Sequence, residues 1–326
     1  MLFNSTKLVL TNTMMIGVIM VICSNNWMSM WMGLEMSMLS LIPMMQTNKL
    51  MSTESMIKYF IVQSIASTMM LLSILIMLIG VSMIKTSMLM ILTSSMLIKI
   101  GSAPFHNWIL MVIETLNYNE MWIMLTWIKI PPITILYQIN TKFMTMPILL
   151  GMIYSSVSCL NQTSMRKTLG YSSIFNMALV LSAIENFNMI MIFMLLYTIM
   201  LWFMSKILET TKTNFINQMV FNEKQPIMKL NIWMNMLSMG GFPPMMGFFN
   251  KLMIMQMMIK NNQFMILLVL ILTSMFVMMF YIRLAFTSMI VVSSCMKWVI
   301  YSKNQLFMLL FNFIVFPIMI SMTMVF

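Results

Sequence analysis

The strongest constraint on this chain is a series of long, continuous apolar runs. We count about eleven runs long enough to cross a bilayer as a helix, and most of the segments between them are short and polar. Because the apolar residues do not alternate with polar ones, the pattern predicts helices and not a β-barrel. The runs cover residues 8–23, 27–45, 56–80, 87–106, 120–140, 146–162, 168–184, 188–208, 231–258, 263–288 and 304–325.

Too few polar residues remain to cover a soluble globule, since 61% of the 326 residues are hydrophobic and only 8% are charged. The sequence therefore predicts one all-α transmembrane domain over residues 1–326. The net charge of +11 does not indicate nucleic-acid binding, because the basic residues lie mainly in short loops. Of the 18 Lys and Arg, the predicted spans place twelve on the N-terminal side, three opposite and three within spans. This asymmetry predicts that the N-terminus faces the cytoplasm-like side and Phe326 the other.

Four charged residues fall well inside apolar runs, away from the run ends, and a charge at the bilayer centre costs roughly 3 kcal/mol on insertion scales. They are Glu35, Lys99, Lys129 and Lys251. Each lysine lies near residues that interrupt a helix, namely Gly101 and Pro104, Pro131 and Pro132, and Gly240, Gly241, Pro243 and Pro244. Broken helices at membrane depth are tolerated where they line a cavity, because lipid cannot satisfy the freed backbone groups.

One carboxylate cannot neutralise three ammonium groups, so the sequence predicts a buried group whose members change protonation, as a proton relay requires. The structural alternative is that each lysine extends to the interface or caps a broken helix. His106 follows Pro104 at the end of the fourth run, where an imidazole would suit proton exchange near the aqueous mouth or form a structural hydrogen bond. Glu114 and Glu120 flank the next loop and are expected to be solvated.

No pattern for redox or hydrolytic chemistry is found. The sequence has no dinucleotide-binding GxGxxG, no P-loop, no cysteine cluster for an iron–sulfur centre and no paired histidines for haem. If the chain belongs to an oxidoreductase, the electrons are expected to travel through other subunits.

Six stretches, in order along the chain, resemble the subunit 2 family of mitochondrial NADH dehydrogenase, the proton-pumping respiratory complex I. The length is similar to the arthropod form. The stretches are WMGLEMSMLSLIP (31–43), LMSTESMIKYF (50–60), IKIGSAPFHNW (98–108), LTWIKIPP (125–132), LNQTSMRKTLGYSSI (160–174) and LSMGGFPPMMGFFNKL (237–252).

The resemblance implies an antiporter-like fold with discontinuous helices, shortened to about eleven spans. In this family a glutamate on an early helix pairs with a lysine on a broken helix, which implies pairing of Glu35 with Lys99. The resemblance makes Lys129 a central relay and Lys251 the group that hands protons onward. His106 matches the histidine of the family's APFH motif.

Three positions depart from the family pattern. Leu110 stands where a proline is usual, and Asn176 begins Asn-Met-Ala where the family has His-Leu-Gly after one variable residue. Asn250 replaces the proline before the last lysine. These departures concern peripheral members of the relay and leave the four charges in place.

By this resemblance the chain would be a membrane-arm subunit of NADH:ubiquinone oxidoreductase in the mitochondrial inner membrane, with its N-terminus in the matrix and its C-terminus in the intermembrane space. No cofactor is expected in this chain, since NADH, FMN, the iron–sulfur clusters and ubiquinone would be held by other subunits. The expected partners are other membrane-arm and accessory subunits and lipid, with no nucleic acid and no homo-oligomer. Two alternatives stay open: a stand-alone cation/proton antiporter, and a structural spacer whose charges only satisfy broken helices.

Overall fold

The structure is a computed structural model that describes residues 5–47, 50–79, 85–139, 142–218 and 226–290. Helices make up the regular structure of these ranges, which confirms the all-α prediction. Within these described ranges, β-type pairing is limited to an isolated antiparallel bridge between Ser164 and Phe215. The predicted run 304–325 lies outside the described residues.

The chain forms two compact units, which we describe separately. Unit 1 comprises Met1–Gly151 and Ile184–Phe187, and unit 2 comprises Met152–Ala183 and Asn188–Phe326. The helices of unit 1 are α1 (Ser5–Cys23), α2 (Trp27–Met44), α3 (Leu50–Ile79), α4 (Lys85–Ile100), α5 (Asn107–Thr115), α6 (Tyr118–Leu125) and α7 (Ile130–Ile139), with 3-10 turns at Trp127–Lys129 and Lys142–Met144.

Helix α8 (Thr145–Cys159) begins in unit 1 and ends in unit 2. The remaining helices belong wholly or mainly to unit 2. They are α9 (Met165–Ser182), α10 (Phe187–Thr211), α11 (Pro226–Gly240), α12 (Met246–Lys260) and α13 (Phe264–Ile290).

Four helices in the described part of the chain are long and apolar enough to cross a membrane without interruption. Two shorter apolar helices, Thr86–Ile100 and Thr145–Cys159, accompany them. The four long ones are Ser5–Cys23, Leu50–Ile79, Phe187–Thr211 and Phe264–Thr287.

The fifth and ninth predicted runs are each divided into two helices, and the fourth run continues beyond its predicted end. The fourth run was expected to end at residue 106, but after an interruption the chain resumes as α5 and stays helical to Thr115. The ninth, 231–258, is divided between α11 and α12. The fifth, 120–140, is divided at Thr126, whose backbone leaves the helical region (φ −120°, ψ −76°). The third run is a single helix that begins earlier than expected, at Leu50 rather than residue 56.

Helices α1 and α2 approach each other backbone to backbone in unit 1. A Cβ atom on Gly17 would lie 2.8 Å from the Gly33 carbonyl oxygen and 2.9 Å from the Ser37 amide nitrogen. A Cβ on Gly33 would lie 2.7 Å from a Val21 methyl group. Small residues allow this approach, which replaces the hydrophobic effect as a source of helix association in lipid.

We expect Gly33→Leu to separate α1 from α2 and to reduce the amount of folded chain recovered from membranes. Overpacking a close contact typically costs about 1–3 kcal/mol, and here the added side chain would meet backbone atoms that cannot rotate away. The measurement is the protease-resistant fraction of the membrane-embedded chain on heating. Met32→Leu is the matched control because Met32 is the neighbouring residue and is 52% exposed. Equal resistance of the two variants would contradict the close contact.

Candidate functional site

Lys99 is the second-to-last residue of α4 and is buried, with 5% of its surface exposed. The helix ends through Gly101, whose φ of +67° lies in the left-handed region. The Gly101 amide donates to the Leu97 carbonyl at 2.9 Å, and the Ser102 amide donates to the same oxygen at 3.2 Å. A side chain at Gly101 would collide with Ile109 of α5, so glycine is needed here for both conformation and space.

Side chains from neighbouring helices donate hydrogen bonds to carbonyl groups at the end of α4. The indole Nε1 of Trp108 donates to the Ile98 carbonyl at 3.1 Å. The Gln63 amide nitrogen on α3 donates to the Lys99 carbonyl at 3.4 Å. Side chains of α3 and α5 therefore hold the broken end of α4, because backbone polar groups at membrane depth need hydrogen-bond partners.

Glu35 lies on α2 and is half-buried, and its Oε1 atom is buried without a hydrogen-bond partner in the described part of the chain. Its carboxylate interacts electrostatically with the Lys99 ammonium group and with Tyr59 of α3. The ion pairs within 4.0 Å among described residues do not include Glu35 with Lys99. The two charges therefore influence each other without a direct ion pair.

Lys129 is the last residue of the 3-10 turn before α7 and is 2% exposed. The Thr126 hydroxyl donates to the Trp122 carbonyl at 2.7 Å, and the Lys129 amide donates to the Thr126 carbonyl at 3.2 Å. Pro131 and Pro132 lie in the first turn of α7 rather than in the interruption. This corrects their expected position, and the reason is that the first helical turn has no internal use for the N–H that proline lacks.

His106 occupies the position just before α5 and is 6% exposed. We expected it at the aqueous end of the fourth run. That position is wrong, because the nine residues of α5 follow it and the imidazole lies at the break between α4 and α5. Its neighbours in sequence, Pro104 and Gly101, belong to the same interruption as Lys99.

Lys251 of unit 2 lies over the break between α11 and α12. Its Nζ donates to the Gly240 carbonyl oxygen at 2.6 Å, and the ammonium group lies 5.7 Å from the centre of the Phe175 ring. Gly241 has a φ of +77°, and a Cβ there would lie 2.8 Å from both Nζ and Cε of Lys251. The lysine side chain thus fills the space that a side chain at Gly241 would need. Its ammonium group donates a hydrogen bond to a carbonyl group freed by the break.

Glu35, Lys99, His106 and Lys129 belong to unit 1, and Lys251 belongs to unit 2. Within unit 1, α4 packs against α7 and against the 3-10 turn that ends at Lys129. The predicted helix-breaking residues Pro243 and Pro244 lie between α11 and α12.

Two uncharged residues of this site, Tyr59 and Gln63, were missed by the sequence analysis. Both are buried on α3, one turn apart. They belong to a polar stripe at helical spacing inside an apolar run, and that periodicity was the available signal. The buried polar members of the stripe are Ser52, Ser55, Tyr59, Gln63, Ser67 and Ser73.

Glu120 was expected to be solvated but is only 5% exposed. The Lys7 Nζ lies 3.5 Å from its Oε1, and the Asn117 amide nitrogen lies 3.3 Å from both of its carboxylate oxygens. Glu120 is in the first turn of α6, where the helix dipole favours a negative charge. The ion pair joins the start of α1 to the start of α6.

The fold and these sites define a helical membrane protein whose broken helices carry buried lysines, an arrangement typical of ion-translocating proteins. Residues 24–277 match the family described as "NADH:quinone oxidoreductase/Mrp antiporter, TM". The chain is 33% identical to NADH-ubiquinone oxidoreductase chain 2 of Anopheles gambiae over 324 residues, which is 95% of each protein. It is 35% identical to the Locusta migratoria protein of the same name over 303 residues, covering 90% of this chain and 89% of that one.

The chain belongs to the NADH-ubiquinone oxidoreductase chain 2 family. Among solved structures, it is similar to a chain of "Respiratory complex I from Thermus thermophilus with bound Aureothin", with a TM-score of 0.82 and 18% identity. The similarity covers 95% of this chain and 77% of that one, and it shows a shared fold.

Proposed function

We propose that this chain is a core membrane-arm subunit of proton-pumping NADH:ubiquinone oxidoreductase and carries part of its proton path. The observation that carries the proposal is the burial of three lysines at three helix interruptions, with a glutamate carboxylate acting on one of them. A buried charge at such a depth is costly, so side chains that merely shape a helix would more simply be uncharged.

Each charged group has a role in this proposal. Glu35 and Lys99 form the coupling pair, in which the charge of one residue changes the proton affinity of the other. Lys129 is the relay of unit 1, and Lys251 serves unit 2 and hands protons onward to the next subunit or the exit. His106, at the same break as Lys99, exchanges protons within the protein rather than at the aqueous mouth.

The redox reaction belongs to other subunits in this proposal. NADH, FMN, iron–sulfur clusters and ubiquinone are bound elsewhere in the complex, and this chain contributes no redox catalysis. Its partners are other membrane-arm and accessory subunits and lipid, without homo-oligomerisation.

We further propose about eleven membrane spans in the mitochondrial inner membrane, with the N-terminus in the matrix and Phe326 in the intermembrane space. Pairing of short helices across the breaks (α4 with α5, α6 with α7, α11 with α12) supports this count. The Lys7–Glu120 ion pair supports the order of the spans, because the alternation places both residues on the N-terminal side.

The second candidate is a stand-alone cation/proton antiporter, and the description of the matching family does name an antiporter, Mrp, beside NADH:quinone oxidoreductase. Such a protein would transport ions without partner subunits. Transport by the purified chain in vesicles would favour this function. The remaining alternative is a purely structural spacer. In that case, proton stoichiometry would stay normal after all four buried charges are neutralised.

The test of the proposed function is native electrophoresis of mildly solubilised membranes, with in-gel NADH oxidation and detection of this chain. We expect the chain to migrate with a very large NADH-oxidising band. A small species without that activity would contradict the proposal and favour the antiporter.

A further inference from the structure

Tyr59 carries a buried hydroxyl group that the proposed proton path does not use. The residue is 1% exposed, and its hydroxyl oxygen has no hydrogen-bond partner in the described part of the chain. Burying a hydroxyl group without a hydrogen-bond partner costs free energy, because the group loses its hydrogen bonds to water. We therefore expect an additional group, such as a water molecule, to complete its hydrogen bonding.

The surroundings of Tyr59 belong to the Lys99 break. Its ring centre lies 5.9 Å from that of Trp108, whose indole holds the Ile98 carbonyl. Gln63, one turn further along α3, holds the Lys99 carbonyl. Tyr59 and Gln63 therefore face the break between α4 and α5 from the same side of α3.

A second unpartnered atom lies on α2, which also packs against α3. It is Oε1 of Glu35, which is buried and has no hydrogen-bond partner among the described residues. The Glu35 carboxylate acts electrostatically on both Tyr59 and Lys99, yet no described ion pair within 4.0 Å joins it to Lys99. Polar groups that lie too far apart for a direct hydrogen bond are commonly bridged by a water molecule.

We propose that Tyr59 is a positioning residue whose hydroxyl and the Glu35 carboxylate hold a water molecule that links Glu35 to Lys99. This inference rests on the proposed function of Glu35 and Lys99. The hydroxyl donates or accepts a hydrogen bond and keeps its own proton. A proton that leaves the Lys99 ammonium group enters this water, and the water gives one of its protons to Glu35, so the water is restored.

The test is Tyr59→Phe in the assembled complex, measured as protons moved and NADH oxidised per unit time. Phenylalanine retains the ring that packs against Trp108 and removes only the hydroxyl. We expect the pumping rate to fall about fivefold, the effect of one net hydrogen bond, with assembly unchanged. Tyr137→Phe is the matched control, because Tyr137 is a part-buried tyrosine of α7 in the same unit whose ring packs 5.2 Å from that of Phe187.

A double-mutant cycle with Glu35→Gln separates positioning from packing. If Tyr59 acts through Glu35, Tyr59→Phe has no further effect in the Glu35→Gln background. Full additivity, or the same small effect for Tyr59→Phe as for Tyr137→Phe, would overturn the inference. Normal pumping by Glu35→Gln would instead overturn the proposed role of the glutamate, so the two failures are distinguishable.

If Tyr59→Phe does not assemble, an experimental density map of the unaltered complex decides the question. We expect an ordered water within about 3.2 Å of both the Tyr59 hydroxyl and a Glu35 carboxylate oxygen. A map that resolves waters elsewhere in the membrane arm and shows none here would overturn the inference.

Discussion

Replacing Lys129 with methionine is expected to remove most proton pumping while the complex still assembles. Lys129 is 2% exposed and ends the short turn before α7. Methionine has a similar length and is apolar, so it fills the buried space without a cavity. What it removes is the charge that binds and releases a proton. We expect the rate of pumping to fall at least about tenfold, which corresponds to roughly 1.4 kcal/mol on the barrier.

The measurement is proton movement against NADH oxidation in membranes that contain equal amounts of assembled complex. Lys58→Met is the matched control. Lys58 forms an ion pair within α3, with Nζ 2.6 Å from Glu54, and its side chain is 45% exposed; exposed pairs of this kind contribute little. Normal pumping by an assembled Lys129→Met variant would remove Lys129 from the mechanism.

Gly241→Ala is expected to have the second-largest effect, because it disturbs Lys251 without changing a charge. The new Cβ would lie 2.8 Å from Nζ of Lys251, so the lysine side chain must shift, and this shift disturbs its hydrogen bond to the Gly240 carbonyl oxygen. The left-handed backbone at this position adds roughly 1–2 kcal/mol of strain for a residue with a Cβ. We expect a severalfold loss of pumping and reduced thermal stability of the assembled complex.

The control for this substitution is Phe242→Ala, which changes the next residue of the same break at a side chain that is 37% exposed. Pumping and heat resistance are measured on both variants after equal assembly has been shown. If Gly241→Ala behaves like Phe242→Ala, Lys251 does not depend on the space above Gly241.

The sequence identified the charged members of the site because a charge or a helix breaker is conspicuous in an apolar run. Glu35, Lys99, Lys129 and Lys251 needed no tertiary information, since the cost of a buried charge depends mainly on its depth in the membrane. The positions of the interruptions were less predictable. Proline marks a place where a helix cannot continue unchanged, but Pro131 and Pro132 are equally compatible with the first turn of α7, where the structure has them.

Uncharged and long-range features were beyond the sequence for a different reason. Tyr59 and Gln63 lower the mean hydropathy of α3 very little, so their position shows only when the buried face of the helix is known. The burial of Glu120 depends on Lys7, more than a hundred residues earlier in the chain. His106 was assigned to a helix end because the continuation of the fourth run as α5 was not recognised.

The close contact between α1 and α2 has a mechanical consequence for the coupling pair. Gly33 and Ser37, two residues before and two residues after Glu35, are pressed against the backbone of α1. Sliding α2 along its axis, or turning it by a residue, would drive side chains into that contact. Glu35 is therefore carried by a helix that the contact with α1 holds in place. Any gating movement that changes the distance between Glu35 and Lys99 must then come from side-chain rotation or from movement of the end of α4 at Gly101.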